Sequence, residues 1–383
     1  MSRTHNVLYG LTFLAVLAGL SLASLPAATG FAAVQGTTLL DGKLALAFEK
    51  HYDKQFALKE LGTNAWAALE FSLFGEGRPG VVVGRQDWLF TDEEFKPANN
   101  PQMLQDNWAL IGAVQHELKR RNIELVLALL PAKARLYPEQ LAADRPVAAQ
   151  QQLYAQARQL MQEQQLPGPD LLAELERAKA SEAVFLRTDT HWTPFGAAVA
   201  AKGLADYLAE RGDWARGQQR FVTSTTASQN HEGDLLSFLP LTPYFSALRP
   251  PVESLQPRRT EPLEEVADSD AALFGEAAPQ VALVGTSYSA NPKWNFIGAL
   301  KQELGSDLLN YAENGHGPLV PMLRLLQRGP EETADLRLVI WEFPERYLML
   351  PSDLSEFDSA WLEQLRASEQ LATRDLVKPV TAR

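Results

Sequence analysis

At 383 residues with 46% hydrophobic side chains, the chain can hold one large domain or two smaller ones and can bury a sizeable core. A net charge of −12 excludes a broad nucleic-acid-binding surface. The absence of cysteine excludes disulfides, thiolate catalysis and cysteine-ligated zinc together.

Arg3 precedes an uncharged apolar stretch from Val7 to Leu25, and small residues follow around Pro26, Ala27, Ala28 and Gly30. A basic start, an apolar middle and a small-residue exit are the parts of a secretory signal. The stretch is also long enough to cross a bilayer as an uncleaved anchor. Residues 1–32 are therefore expected to be a signal peptide, cut after Ala28 or Ala32, or an N-terminal membrane anchor. No second run of this length follows, so the remainder reads as one soluble body.

Residues 33–79 are expected to be a helical segment, because Leu40, Leu44, Phe48 and Tyr52 recur at intervals of four. Val81–Val83 and Trp88–Phe90 predict two short strands around the turn Gly84-Arg85-Gln86-Asp87. A helix is predicted over Met103–Arg121, then a strand over Ile123–Leu130, whose mostly apolar run suits a strand covered on both faces. Helices follow over 148–165 and 171–180, then a short strand at Val184–Leu186. Thr193 and Pro194 mark a helix start, with threonine as N-cap and proline at the first helical position. That helix should reach Arg211. The stretch 212–278 is rich in proline, serine, threonine and charge, and is expected to form loops and irregular strands flanking a site. Alternation returns with a strand at Gln280–Val284, a helix from Pro292, a strand at Leu308–Asn310, a helix at Val320–Gln327 and a strand at Leu336–Phe343. A last helix over 358–369 and a polar tail fill 351–383. Strands separated by helices predict an α/β fold with a mostly parallel sheet and helices on both faces, and such sheets put ligands at the carboxyl ends of their strands.

Three residues near predicted strand ends carry chemistry. Ser287 in Gly285-Thr286-Ser287-Tyr288-Ser289 follows the strand ending at Val284, and Asp189 and His191 follow the strand at Val184–Leu186. A serine hydroxyl needs a base to act as a nucleophile at neutral pH, and an imidazole, whose ordinary pKa is near neutrality, suits that role. A carboxylate on its other nitrogen would hold it and stabilise the imidazolium. Ser289 is an alternative nucleophile. The alternative to catalysis is a plain Gly-Thr-Ser turn and a chance Asp-x-His pair. His231-Glu232-Gly233-Asp234 with Asp189 and His191 reads as a metal site or as a solvated loop. Asn314, in a glycine-rich turn with His316, is an oxyanion candidate unless the glycines only permit a bend. His51 and His116 are expected on helix surfaces.

Taken together, Asp189-Thr190-His191-Trp192-Thr193-Pro194 and Gly285–Ser289 resemble the periplasmic alginate O-acetyltransferase family of the J and X type, which is SGNH-hydrolase-like. Gly84–Phe90 (GRQDWLF), Pro131–Glu139 (PAKARLYPE) and Leu338–Arg346 (LVIWEFPER) are similar to it as well, so the likeness spans roughly residues 80–350, the expected catalytic domain. The resemblance implies Ser287 as nucleophile, His191 as base and Asp189 as its orienting partner, with a circularly permuted motif order: Asp and His precede Ser. The chain is expected to lack room for a separate carbohydrate-binding module, which would make it closer to the J type.

The resemblance further implies ping-pong acetyl transfer without a cofactor or metal, onto hydroxyls of an exported polysaccharide. Alginate mannuronate is the first acceptor implied; cellulose or another exopolysaccharide, a periplasmic esterase and a non-catalytic scaffold are the alternatives. Implied partners are the polymer, an integral membrane O-acyltransferase supplying acetyl, and other polymer-export proteins, on the periplasmic side of the inner membrane. Because alginate is polyanionic and the chain acidic, binding requires a local basic groove, for which Lys133, Arg135, Lys293 and Arg346 are the candidates.

Overall fold

The computed structural model describes residues 3–32, 40–56, 58–97, 102–142, 152–212, 214–263 and 278–376. Two compact units emerge: Met1–Arg78 with Leu239–Arg249, and Pro79–Phe238 with Pro250–Arg383. In the first, α1 (Arg3–Thr29) covers the apolar stretch and is long and apolar enough to cross a membrane. The predicted helical segment is two helices, α2 (Lys43–Gln55) and α3 (Lys59–Phe74). Phe31 meets Phe48 of α2 edge-on, with ring centroids 5.4 Å apart.

The second unit opens with an antiparallel pair, β1 (Val81–Val83) and β2 (Leu89–Thr91). Then come α4 (Met103–Arg120), β3 (Glu124–Leu130), a single turn α5 (Lys133–Leu136), α6 (Leu153–Glu163), α7 (Leu171–Lys179) and α8 (Pro194–Arg211). Part of the helix predicted at 148–165 lies outside the described residues. α8 starts as the sequence reads, with Thr193 Oγ1 accepting from Gly196 N at 3.0 Å.

Within 212–263 the irregular stretch forms two antiparallel ribbons: β4 (Phe221–Thr225) pairs with β7 (Arg258–Pro262), and β5 (Gln229–His231) with β6 (Glu253–Leu255). The remaining elements are β8 (Val281–Val284), the one-turn α9 (Ser287–Ala290), α10 (Phe296–Leu304), β9 (Leu308–Asn310), α11 (Leu319–Gln327), β10 (Leu338–Pro344) and α12 (Ser359–Leu376).

Among the described residues the central sheet has the order β3-β10-β8-β9, all parallel. Alternate residues along each strand enter opposite cores. Val126, Ala128, Leu130, Val281, Leu283, Leu338 and Ile340 pack with α7, α8 and α10. Leu125, Leu127, Leu129, Ala282, Val284, Val339, Trp341 and Phe343 pack with α4, α6, α11 and α12. Strands covered on both faces carry apolar residues at successive positions, which explains the mostly apolar runs in the sequence, with Glu342 the polar residue inside β10. The expected SGNH-hydrolase-like α/β architecture is present.

One predicted strand is absent. Val184–Leu186 joins no sheet; it makes an isolated bridge between Phe185 and Trp192, closed by Thr193 N to Val184 O at 3.0 Å. The apolar side chains there are buried by a loop folded on itself, and burial without a neighbouring strand leaves the same sequence signal.

Candidate active site

The nucleophile candidate sits where β8 turns into α9. Thr286 caps α9, its Oγ1 accepting from Tyr288 N at 3.4 Å. The turn is pinned from the neighbouring strand by Glu342, which is 1% exposed. Thr286 N donates to Glu342 Oε2 at 2.7 Å, the Thr286 hydroxyl donates at 3.0 Å, and Ser289 Oγ donates at 3.1 Å. Burial pushes the Glu342 carboxyl up, against the pull of these donors. Ser289, the alternative nucleophile, is thus buried and engaged, while Ser287 is partly exposed.

The loop between α7 and α8 brings the candidate base. His191 Nε2 lies 2.7 Å from Ser287 Oγ, and His191 Nδ1 lies 2.6 Å from Asp189 Oδ1. Burial opposes ionisation of Asp189, yet side-chain hydrogen bonds from His191 and His231 hold its carboxyl well below the usual carboxylate range. An ionised carboxylate only accepts, so Nδ1 carries the imidazole proton and Nε2 is left to accept from the Ser287 hydroxyl. Two aromatic rings hold the imidazole: Trp294 stacks at 5.1 Å between centroids and Tyr288 packs at a tilt at 4.7 Å.

The irregular stretch reinforces this loop. His231 Nε2 lies 2.7 Å from Asp189 Oδ2, and Asp234 N donates to the same oxygen at 3.2 Å. Asp234 Oδ1 accepts from Thr190 N at 2.8 Å. Glu253 accepts from the backbone N–H of Arg187 and Thr188 at 2.6 and 2.7 Å.

Asp189, His191 and Asp234 gather closely, as the metal reading expected. The spacing is that of hydrogen bonds, however. Two donors on one tetrahedral zinc stand about 3.3 Å apart, whereas the His191–Asp189 and His231–Asp189 pairs are at 2.6 and 2.7 Å. Neither is His231 in a solvated loop: it is 5% exposed.

Two of the expected substrate-binding cations are buried. Lys133 is 1% exposed, and its Nζ donates to the carbonyls of Leu89, Arg187 and Asp189 at 2.5, 2.9 and 2.9 Å. Arg346 is 5% exposed, donates to Glu93 at 2.9 Å and reaches the Tyr288 hydroxyl at 3.3 Å. That hydroxyl donates to Thr190 O at 2.6 Å, so Arg346 and Tyr288 tie the serine turn to the histidine loop. Both side chains are buried and engaged within the chain, Lys133 with three carbonyl oxygens and Arg346 with Glu93 and Tyr288. Arg135 forms a two-point pair with the buried Glu345. Lys293 is exposed on the turn after α9.

Asn314 is also exposed, in the loop after β9 where Glu313 N donates to Gly285 O at 3.1 Å. That bond brings the loop alongside the serine turn.

Glu342 and Tyr288 are contributors that sequence reasoning missed, while His231 was grouped with Asp189 and His191 but as a metal ligand or a solvated loop residue. Glu342 did leave a trace: one carboxylate inside the otherwise apolar run Leu338–Phe343. For His231 the grouping was legible but the hydrogen bond was not, because its partner is 42 residues away.

Residues 81–345 match the family model described as "SGNH hydrolase-like domain, acetyltransferase AlgX". The chain is 53% identical to "Probable alginate O-acetylase AlgJ" of Azotobacter vinelandii, over 96% of this chain and 95% of that one. It is 52% identical to the protein of that name from Pseudomonas aeruginosa, over 96% of each. Among solved structures it is similar to the O-acetyltransferase domain of Pseudomonas putida AlgJ, with a TM-score of 0.69, 49% identity, 76% of this chain and all of that one. Pseudomonas aeruginosa AlgX is more distant, at a TM-score of 0.57 and 25% identity over 76% of this chain and 67% of that one.

Proposed function

Since the chain belongs to the SGNH hydrolase-like acetyltransferase family, we propose that it moves acetyl onto hydroxyls of alginate through an acyl-serine on Ser287. The observation that carries this reading is the unbroken line Ser287 Oγ–His191 Nε2 at 2.7 Å and His191 Nδ1–Asp189 Oδ1 at 2.6 Å.

In the first half-reaction Ser287 Oγ attacks the acetyl carbonyl carbon of the donor and its proton passes to His191 Nε2. The carbon–leaving-group bond breaks, and the departing group takes that proton. In the second half-reaction His191 takes the proton of a sugar hydroxyl whose oxygen attacks the acyl carbonyl. The acyl bond to Ser287 breaks and Oγ regains a proton. Asp189, ionised and buried, keeps the imidazole oriented and stabilises the imidazolium in both halves. The Ser287 N–H and the Asn314 side chain are the donors assigned to the oxyanion.

The acceptor is drawn from the relatives' name, alginate O-acetylase, and exposed Lys293 is the cation left to meet a polyanion beside the serine. The apolar α1 supports export, with the catalytic unit on the periplasmic side of the inner membrane. There an integral membrane O-acyltransferase would supply acetyl.

The test incubates the purified chain with a chromogenic acetyl ester and unacetylated alginate oligosaccharides. Acetyl appearing on sugar, and its loss in Ser287→Ala, is the expected result. Ester hydrolysis with no sugar product would instead make this chain an esterase, and undiminished transfer by Ser287→Ala would remove the acyl-serine.

A further inference from the structure

His231 is 5% exposed at the end of β5, opposite Glu253 of β6 in the ribbon register. Its turn packs tightly on the loop that carries Asp189. A Cβ on Gly233 would stand 2.1 Å from Thr188 O, so only glycine permits the approach. Trp294 links the two histidines, stacking on the face of His191 and meeting His231 at 79°. The two oxygens of Asp189 are divided between them. Oδ1 accepts from His191 Nδ1 and from His191 N at 2.9 Å, while Oδ2 accepts from His231 Nε2 and Asp234 N.

We propose that His231 is a positioning residue for acyl transfer: its Nε2–H holds Asp189 Oδ2, so that Oδ1 stays committed to His191. A carboxylate anchored at one oxygen can turn about its Cβ–Cγ bond and swap the other, which would pull His191 Nδ1 off line and Nε2 away from Ser287 Oγ. On the far oxygen Asp234 N stands at 3.2 Å and His231 Nε2 at 2.7 Å, so the shorter, side-chain bond is the one that resists the rotation before substrate arrives, and the base is preorganised rather than recruited. Because Asp189 offers only acceptors, His231 must carry its proton on Nε2. The proposal rests on the acyl-serine reading above and adds a residue to it.

The experiment uses the full chain in detergent and the burst of acetyl ester consumption that reports acylation of Ser287. His231→Ala is expected to lower the acylation rate about 10- to 100-fold, the scale of a lost hydrogen bond to a charged group, with KM for the ester nearly unchanged. His231→Gln, which returns an N–H donor, should recover part of the rate. The downfield proton resonance of the His191–Asp189 hydrogen bond should shift in His231→Ala and move back in His231→Gln. A folded His231→Ala at the wild-type rate overturns the proposal, as do equal losses in both variants with that resonance unmoved. Nitrogen-15 shifts of the wild-type histidines give a reading that needs no variant to fold: Nε2–H on His231 agrees, and Nδ1–H overturns it. Ser287→Ala separates the two levels. A persisting burst there removes the acyl-serine itself, whereas its loss beside a wild-type His231→Ala removes only the role of His231.

Discussion

At Lys133 an ammonium group lies in the interior with three carbonyl oxygens around it, one of them that of Asp189. Burial pulls its pKa down to about 8, against the attraction of Glu94, Glu253, Asp189 and Asp234. Replacing it by methionine keeps the stem and strands the carbonyls. Lys133→Met should therefore destabilise the chain by about 3 kcal/mol or more, read by chemical denaturation, while KM for the oligosaccharide stays where it was. A raised KM with unaltered stability would return Lys133 to the polymer surface. Arg346 works similarly, through Tyr288, and the two cations explain how an acidic chain spends positive charge inside its own site.

Single elements are held here by close approach. The turn from β8 to α9 passes so near β10 that a Cβ on Gly285 would lie 2.5 Å from Glu342 Oε2 and 2.9 Å from Glu342 Cβ. Gly285→Ala must push Glu342 off Thr286 or push the turn outward, at a cost of about 1–3 kcal/mol by the scale of overpacking. The serine moves with that turn, so the acylation burst should slow along with the fall in denaturation midpoint. A Gly285→Ala protein as stable and as fast as the parent would show that Glu342 does not fix the turn. The single-turn α9 has little stability of its own, since one turn closes too few hydrogen bonds to offset nucleation. Its conformation belongs to Glu342 and Thr286.

Over the whole molecule, the sheet order sets β8 between β9 and β10, and β3 lies beyond β10. Loops after these strands gather at the carboxyl edge of the sheet, the usual ligand side of an open α/β sheet. Stability should respond to pH in two opposed ways. The depressed pKa of Asp189 means that the unfolded chain binds more protons in acid, so its contribution is full above about pH 4 and is lost as pH falls. Glu94, Glu342 and Glu345 are raised by burial, so their contribution is full below about pH 4.3 and is lost as pH rises through their folded values. Tm should peak in mild acid. Asp189→Asn should flatten the acid limb and Glu342→Gln the decline toward neutrality; a Tm that climbs steadily to neutral pH in the parent would contradict the assignment.

Residue order alone determined the alternation of strands and helices, the N-cap at Thr193 and the grouping of Ser287, His191 and Asp189 by motif. These signals are local: hydrophobic periodicity and capping are written within a few residues of where they act. The strand expected at Val184–Leu186 failed because burial beneath a folded loop leaves the same apolar trace as a sheet. Lys133 and Arg346 were legible as cations beside motifs, but their exposure was not. Their oxygen partners come from β2, the histidine loop and the serine turn, and only the packed chain brings those together. The same holds for His231, whose ring meets Asp189 across 42 residues that include the whole of α8, and for Glu342, whose partners lie 53 and 56 residues away. The candidate reactive residues were legible in the sequence. Which polar groups hold them in line was decided by the tertiary structure, because a buried donor takes whichever acceptor the topology places within 3 Å.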